Sequence, residues 1–214
     1  LMYNLRYCPV NAQIGILSEG IAILSRCRFL FTFAKTLSTV WETPSEGFEI
    51  PLKRRAMMSR IHVPGIGNIN VFNTHLCAFC EPSDRFTQNK ALLKFLYDVE
   101  RLIFWDKSPV ILGGDFNMDV GTPGGREIHD NIMDLGFKDT YATVNHCRSS
   151  CSVQEGYEGC TYSVPNNPYA DDIPVRIDYI FTKDLQVLQS VVVFGTSPNW
   201  VSDHSGVLSK IAIP

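Results

Sequence analysis

The sequence has no long hydrophobic run and no excess of positive charge. None of its apolar stretches reaches the roughly 18 to 20 residues that a membrane-spanning helix needs, so we expect no transmembrane segment. Its 19 Lys and Arg residues are outnumbered by 22 Asp and Glu residues, which gives a formal net charge of -3. This balance argues against binding of nucleic acid through a broad basic surface, although a metal ion and a few local cations can still hold a phosphate.

Several motifs of known chemistry are also missing. There is no Gly-x-Ser-x-Gly segment, which argues against a serine hydrolase even though serines flank His204. There is no glycine-rich nucleotide-binding loop. Residues 115–126 begin like a calcium-binding loop, but Val120 replaces the glycine at the bend and Arg126 replaces the final glutamate. The bend and the bidentate ligand of such a loop are therefore absent.

Cysteine, by contrast, is plentiful: seven are many for a reduced intracellular enzyme. Cys77 and Cys80 form one group, and Cys147, Cys151 and Cys160 form another. We favour disulfides, and the odd count then leaves at least one thiol unpaired within the chain. A structural zinc site built from both groups is the alternative, although the second group lacks a Cys-x-x-Cys pair. The cysteine content slightly favours a secreted protein or one in the lumen of the secretory pathway.

Hydrophobic periodicity predicts more strands than helices. The turn at residues 64–68 predicts a hairpin, because Gly and Asn tolerate positive φ. A long helix is predicted from an N-cap at Ser83 to residue 105, and a shorter one over residues 124–135 that Gly136 ends. Residues 145–174 are predicted to be a long surface loop. Strands are predicted at residues 19–26 and 29–37, twice within 54–76, and at 108–113, 175–182, 188–195 and 204–213.

Because hairpins and irregular loops connect most of these strands, we predict an α/β sandwich of mixed or antiparallel sheets rather than a doubly wound parallel sheet. The 214 residues can bury a sizeable core, and no internal repeat or linker divides them. We therefore expect residues 1–214 to form one domain.

Polar side chains recur at the ends of the apolar strands. A residue and its second neighbour project to the same side of a strand, so Asn73 with His75, and Asp115 with Asn117, can each face a shared site. The remaining members of this set are Asp178, Asp203 and His204. Burial of so many charged groups costs several kcal/mol per unpaired charge, and a metal or a substrate phosphate would offset that cost.

Five segments in this order resemble motifs of the endonuclease/exonuclease/phosphatase superfamily, whose type member is deoxyribonuclease I. They are EGIAILSR (19–26), NVFNTHL (70–76), ILGGDFN (111–117), RIDYIF (176–181) and SDH (202–204). Arg85 and Gln88 also fit the family's pattern. The resemblance implies a four-layer αββα sandwich of two mixed or antiparallel sheets. It also implies divalent-metal-dependent hydrolysis of a phosphate ester.

The resemblance assigns the catalytic groups. His204 matches the family's catalytic histidine, and Asp178 matches the carboxylate that orients this histidine and stabilises its charged form. Asp115 resembles the carboxylate that positions water or assists the leaving oxygen. Either His204 or Asp115 could generate the nucleophile, and the sequence leaves this choice open.

The same resemblance assigns the phosphate and metal contacts. Asn117 corresponds to the amide that holds the phosphate and keeps Asp115 in register. Asn73 and His75 correspond to groups that contact the phosphate and stabilise its developing charge, and His75 also counts among the catalytic candidates. Asp203 resembles a metal ligand, and the implied ion is Mg²⁺, with Mn²⁺ or Ca²⁺ as alternatives.

The sequence departs from the family pattern at its start. The family begins with a strand that carries an Asn, followed by a strand ending in Gln-Glu whose Glu is a principal Mg²⁺ ligand. Neither is found before residue 19, and Glu19 belongs to a later motif. We therefore expect a domain that lacks its first strand or strands and its first helix, with a weakened metal site.

These features together predict a Mg²⁺-dependent phosphoric ester hydrolase, and a phosphodiesterase is favoured. The substrate could be nucleic acid, a phospholipid such as sphingomyelin, or a small ester such as an inositol phosphate or a nucleotide. We expect a monomer. A catalytically impaired member of the family that acts as a binding module is the alternative.

Overall fold

The structure is a computed structural model that describes residues 3–9, 20–45, 48–103, 107–145, 151, 157–170, 172–194 and 200–214. The chain forms two compact units, Leu1–Gly113 and Gly114–Pro214. Among the described residues, no helix is long and apolar enough to cross a membrane.

The first unit is built mainly from antiparallel strands. β1 (Asn4–Pro9) pairs with β2 (Gly20–Ser25), while β3 (Arg28–Ser45), β4 (Phe48–Val63) and β5 (Gly67–His75) form a meander. The predicted hairpin is confirmed: Ile66 N–H donates to Val63 at 3.1 Å, and Gly65 and Gly67 take positive φ angles of 79° and 105°. Positive φ is costly for most side chains, which explains the two glycines.

Strand β1 was not predicted from the sequence. Its alternation is short, and it exposes Leu5 and Tyr7 while burying Cys8, so it lacks the apolar core face that marks a strand. Cys8 and its neighbour Ile21 on β2 pack in one cluster with Met57 and Ile61 of β4. β1 carries Asn4, so the expectation that no strand with an Asn precedes residue 19 is wrong. The expected absence of a strand ending in Gln-Glu stays a prediction, because residues 10–19 lie outside the described residues.

The long helix differs from its prediction at both ends. Helix α1 spans Pro82–Asp98, with Glu81 rather than Ser83 at the N-cap position and Pro82 in the first turn. Proline fits there because its fixed φ suits a helix start and its missing N–H would have no helical partner. A π-helical segment, Val99–Ile103, continues the helix. In this unit Phe95 of α1 packs edge-to-face on Phe72 of β5, with ring centroids 5.6 Å apart.

The cysteines form two disulfides among the described residues, Cys77–Cys80 and Cys151–Cys160. The alternative zinc site is therefore wrong for these four sulfurs, because a disulfide sulfur cannot act as a thiolate ligand. Cys8 and Cys27 are free thiols, and Cys147 lies outside the described residues.

Strand β6 (Val110–Asp115) crosses the boundary between the two units. In the first unit, Asn70 of β5 donates its N–H to the carbonyl of Pro109, just before β6, at 2.9 Å. In the second unit, Phe116 donates its N–H to the carbonyl of Ile177, at the start of β8 (Asp178–Lys183), also at 2.9 Å. Two residues of the candidate site lie on these strands, because Asp115 ends β6 and Asp178 begins β8.

The second unit also contains two short helices and three further strands. Helix α2 (Pro123–Met133) is capped by Thr122, whose hydroxyl accepts from Gly125 N–H at 3.1 Å. The other elements are β7 (Lys138–Asp139), α3 (Thr140–Asn145), β9 (Gln186–Val193) and β10 (Gly206–Ala212). β7 pairs with β8, and β9 with β10, both antiparallel. As predicted, the described part of 145–174 after α3 contains no helix and no strand beyond single bridges.

A buried ion cluster lies in this unit. The Asp139 carboxylate accepts hydrogen bonds from the Arg176 guanidinium, from His129 Nε2 at 3.1 Å, and from the N–H of Tyr141 at 3.0 Å. Arg176 and Asp139 are only 2% and 1% exposed. Burial by itself would raise the pKa of Asp139, but the hydrogen bond from His129 and the charge of Arg176 hold it below its ordinary value. Arg176 also lies over the ring of Tyr179, 4.4 Å from its centroid.

We expect Arg176→Met to destabilise the fold by about 3 to 5 kcal/mol, because it leaves the Asp139 charge buried without its partner. The measurement is the free energy of unfolding by denaturant. Lys94→Met is the matched control: it breaks the exposed pair with Asp98, 3.0 Å long, and should cost less than about 1 kcal/mol. Equal losses in the two variants would contradict this account.

Candidate active site

The candidate site centres on three side chains of the second unit, Asp115, Asp178 and His204. His204 Nδ1 lies 2.8 Å from Asp178 Oδ2, which is a hydrogen bond, and Nε2 lies 3.9 Å from Asp115 Oδ2, which is not. All three side chains are partly buried. Three residues that the sequence placed at separate strand ends are thus brought together.

Asp178 is fixed by a residue that the sequence did not reveal. The hydroxyl of Thr161 accepts both the Ile177 N–H and the Asp178 N–H at 3.1 Å, and Thr161 is fully buried. A hydroxyl oxygen can accept two hydrogen bonds, so this one side chain fixes the backbone where β8 begins. The carbonyl of Thr161 also accepts from Ser205 N–H at 2.6 Å. Thr161 therefore ties the residues that flank both members of the histidine–carboxylate pair.

His204 lies just before β10, as the sequence predicted for the Asp-His pair. Its N–H donates to the hydroxyl of Ser202 at 3.1 Å, and its backbone forms a single β-bridge with Tyr162. The ring of Tyr162 packs on the imidazole with centroids 5.0 Å apart. These contacts leave the ring of His204 27% exposed, so a substrate can reach it.

Asp115 and Asn117 are joined by a turn. The sequence predicted that both project to one side of a strand, but β6 ends at Asp115 and Asn117 takes a φ of 48°. The strand geometry of that prediction is therefore wrong. Asp115 Oδ1 instead accepts the N–H of Asn117 at 2.8 Å, a turn that Asp and Asn favour. Asn is among the side chains that tolerate this left-handed backbone.

Asp203 lies beside this group without belonging to it. Its carboxylate accepts from the Ser202 hydroxyl at 3.0 Å, and its carbonyl accepts from Ser163 N–H at 3.2 Å. Among the described residues, the one group whose possible metal-ligating atoms lie within 4.8 Å of one another contains Asp115, Asp178 and His204. The role of Asp203 as a metal ligand stays a prediction.

Asn73 and His75 belong to the first unit. The amide of Asn73 donates to the carbonyl of Ala22 on β2 at 2.8 Å, and His75 is the last residue of β5. Their proposed phosphate contacts stay predictions.

The segment that follows His75 is held firmly. Buried Gln88 accepts the Cys77 N–H at 2.9 Å, and Arg85 donates to the carbonyls of Cys77 and Ala78, each at 2.9 Å. Arg85 and Gln88, which the resemblance singled out, therefore fix the chain just after β5.

The charge of the site is concentrated around His204. Burial alone would lower the pKa of this imidazole, but the hydrogen bond and charge of Asp178, together with the charges of Asp115 and Asp203, raise it from 6.5 to about 9. The charged imidazole stabilises the fold fully below pH 6.5, and this contribution is lost as the pH rises through about 9.

The donors fit a hard divalent cation. Carboxylate oxygens are the ligands that Mg²⁺, Mn²⁺ and Ca²⁺ prefer, and Asp115 and Asp178 supply them on two sides of the imidazole. Because Nδ1 of His204 is already bonded to Asp178, the imidazole is better suited to contact substrate than to bind the metal.

In the metal-free protein, we expect an NMR titration of the His204 imidazole to have a midpoint near pH 9. Asp178→Asn should lower the midpoint well below this value, because burial remains while the main compensating charge is lost. Asp203→Asn is the control and should lower it less. An unchanged midpoint in Asp178→Asn would contradict the assignment of the pair.

Thr161→Val should destabilise the fold by about 1 to 3 kcal/mol, because it leaves two backbone N–H groups near Asp178 without their acceptor. Thr161→Ser keeps the hydroxyl and should cost less. The unfolding free energies of the two variants test this role. Thr161→Val loses the hydroxyl and Thr161→Ser loses only the methyl group, so equal losses would contradict a special role of the hydroxyl.

Comparison with known proteins gives both the family and the fold. The model of the Endonuclease/Exonuclease/phosphatase family matches residues 6–204. No curated protein matches the chain.

Several solved structures match along almost the whole chain. An endonuclease/exonuclease/phosphatase from Beutenbergia cavernae is 20% identical with a TM-score of 0.71; the match covers 98% of this chain but only 53% of that one. The human nocturnin catalytic domain is 17% identical (TM-score 0.69), covering 99% of this chain and 73% of that one. A Bacteroides thetaiotaomicron mannosyl-6-phosphatase is 19% identical (TM-score 0.65), covering 98% and 77%. This chain thus spans about half the length of the Beutenbergia cavernae protein.

The predicted fold class is confirmed, since these structures share the α/β sandwich of deoxyribonuclease I. The names in the family's description all denote enzymes that break phosphate ester bonds. With nearly all of its length matched, the chain belongs to the Endonuclease/Exonuclease/phosphatase family.

Proposed function

We propose that this protein hydrolyses phosphate esters with the help of a divalent cation, Mg²⁺ first, and that phosphodiesters are its preferred substrates. The observation that carries the proposal is the 2.8 Å hydrogen bond between His204 and Asp178, with Asp115 facing the other ring nitrogen. A histidine oriented by one carboxylate and placed opposite another is suited to proton transfer during ester hydrolysis.

The three side chains have complementary roles in this proposal. Asp178 accepts a hydrogen bond from Nδ1–H and so orients the ring, which leaves Nε2 to contact the phosphate or the attacking water. Hydrolysis forms a bond from the water oxygen to phosphorus and breaks the bond from phosphorus to the ester oxygen. The water gives up a proton to His204 or Asp115, and the leaving oxygen gains one. Either group is proposed for either transfer.

A divalent cation would be held by carboxylates of this site, Asp115 and Asp178, with Asp203 as the further predicted ligand. When bound, the ion would neutralise charge on the phosphate and make phosphorus easier to attack. Asn117, fixed in the turn after Asp115, is proposed to hold a phosphate oxygen, and Asn73 and His75 are proposed to add further contacts.

We propose a broad class of substrate, the phosphoesters, rather than one compound. Of the structures similar to this chain, one is named a mannosyl-6-phosphatase and another is the catalytic domain of human nocturnin. We infer a phosphoester that could be nucleic acid, a phospholipid such as sphingomyelin, or an inositol or nucleotide phosphate, acted on by a monomer. A secreted or lumenal location is also proposed, because the two disulfides are typical of an oxidising compartment.

The test is hydrolysis of bis-p-nitrophenyl phosphate with Mg²⁺ and then with EDTA. We expect turnover that EDTA abolishes, and a loss of about 10²- to 10⁴-fold in His204→Ala because the proton-transfer group is gone. His62→Ala is the matched control, since His62 is an exposed histidine that pairs with Asn68, and it should keep near-normal turnover.

Two outcomes would count against the proposal. Turnover of His204→Ala close to that of the unaltered protein would remove His204 from the mechanism. Absence of metal-dependent turnover on this ester, on plasmid DNA and on sphingomyelin would favour the alternative, a binding module that keeps the fold.

A further inference from the structure

A cleft of about 630 Å³ lies in the long loop before β8. All of its lining residues fall between Tyr157 and Pro174, so it belongs wholly to the second unit. The sequence identified this stretch only as a surface loop. Its location is informative because the same loop supplies Thr161 and Tyr162 to the candidate site.

The wall of the cleft is fixed to the chain segment that carries His204. The amide of Asn167, a buried residue, donates to the carbonyl of Ser202 at 2.9 Å and accepts from Tyr169 N–H at 2.9 Å. Ser163 donates its hydroxyl to the Asp172 carbonyl at 2.7 Å and accepts the Asp172 N–H at 2.8 Å. A loop tied in this way holds a defined shape beside the site.

The lining has an acidic and aromatic character. Among the described residues of the lining, Asp172 is the one charged side chain, and Lys, Arg and His are absent. Tyr157 and Tyr169 supply aromatic rings, and Tyr169 is 62% exposed. Aromatic faces attract cations, and a carboxylate adds to that attraction, whereas a second phosphate would be repelled.

One tyrosine connects the cleft to the catalytic group. The hydroxyl of Tyr162 donates to Asp172 Oδ2 at 2.7 Å, while its ring packs on the imidazole of His204. A tyrosine hydroxyl is protonated at neutral pH, so this contact persists there, and the bond to Asp172 raises the pKa of Tyr162 further, to about 12. The carboxylate of the cleft is therefore one side chain away from His204.

We propose that this cleft binds an alkylammonium group on the organic part of the substrate, while the phosphate lies at His204. This inference rests on the proposed function, because it assigns the cleft to the same substrate. It selects zwitterionic phosphoesters, which carry a positive charge near the phosphate, over esters with a further negative charge.

Two esters that differ in one charge test the proposal. p-Nitrophenyl phosphocholine carries a trimethylammonium group, and p-nitrophenyl 3,3-dimethylbutyl phosphate has the same shape without the charge. We expect kcat/KM to be about tenfold higher for the choline ester, a size typical of an ammonium group on aromatic rings beside a carboxylate. Asp172→Asn should lower this ratio severalfold, because it keeps a hydrogen-bond acceptor for Tyr162 but removes the charge.

Asp184→Asn is the matched control. Asp184 is exposed in the turn after β8 and outside the lining, so the ratio should stay at its normal value. Tyr169→Ala should lower the ratio, whereas Tyr169→Phe, which keeps the ring, should preserve it. A ratio near one in the unaltered protein, or a ratio that Asp172→Asn leaves unchanged, would overturn the proposal.

Binding of choline chloride, followed by NMR, separates this proposal from the proposed function. If choline binds and Asp172→Asn weakens its binding at least severalfold, the cleft assignment stands even where no ester is hydrolysed, and only the hydrolase proposal fails. If esters are hydrolysed but choline does not bind, the hydrolase proposal stands and the cleft assignment is wrong.

Discussion

The hydrogen bond between His204 and Asp178 is the interaction on which the candidate site depends. It leaves Nε2 as the ring nitrogen on the side of Asp115, and it opposes the effect of burial on the charged imidazole. The pair depends on the position of both backbones, and Thr161 fixes both. Its hydroxyl accepts the N–H groups of Ile177 and Asp178, and its carbonyl accepts the N–H of Ser205, next to His204. The geometry of the site is therefore set largely by one buried threonine.

The motif Arg176-Ile177-Asp178 contains two charged residues that belong to two different ion pairs. Arg176 neutralises Asp139 inside the unit, and Asp178 compensates His204 at the surface. The first pair stabilises the unit, and the second is the pair that we propose to act in catalysis. Because a buried charge without a partner is costly, the inner pair also restricts how the backbone at Asp178 can move.

Much of this could be predicted from local sequence patterns. The hairpin at Gly65 and Gly67, the loop before β8 and the convergence of Asp115, Asp178 and His204 all follow from strand periodicity, turn chemistry or the family motifs. These features depend on residues near one another in sequence or on motifs known to lie at strand ends.

Most of the remaining features depend on partners that are distant in the sequence. The role of Thr161 could not be predicted from the sequence. Its hydroxyl accepts the N–H groups of residues that lie 16 and 17 positions further along the chain, and only the folded structure brings them together. Strand β1 was missed because its alternation is short, and its pairing with β2 decides its conformation. The turn at Asn117 is local, but a single left-handed residue ends a strand without changing the apolar pattern, so the predicted strand geometry was wrong there.

The most direct test of the central claim is a double-mutant cycle on phosphodiester turnover with His204→Ala, Asp178→Ala and the double variant. If the two side chains act as one unit, the double variant should be about as slow as His204→Ala alone, because Asp178 has no ring left to orient. Independent effects whose losses multiply would contradict the claim that Asp178 works through His204.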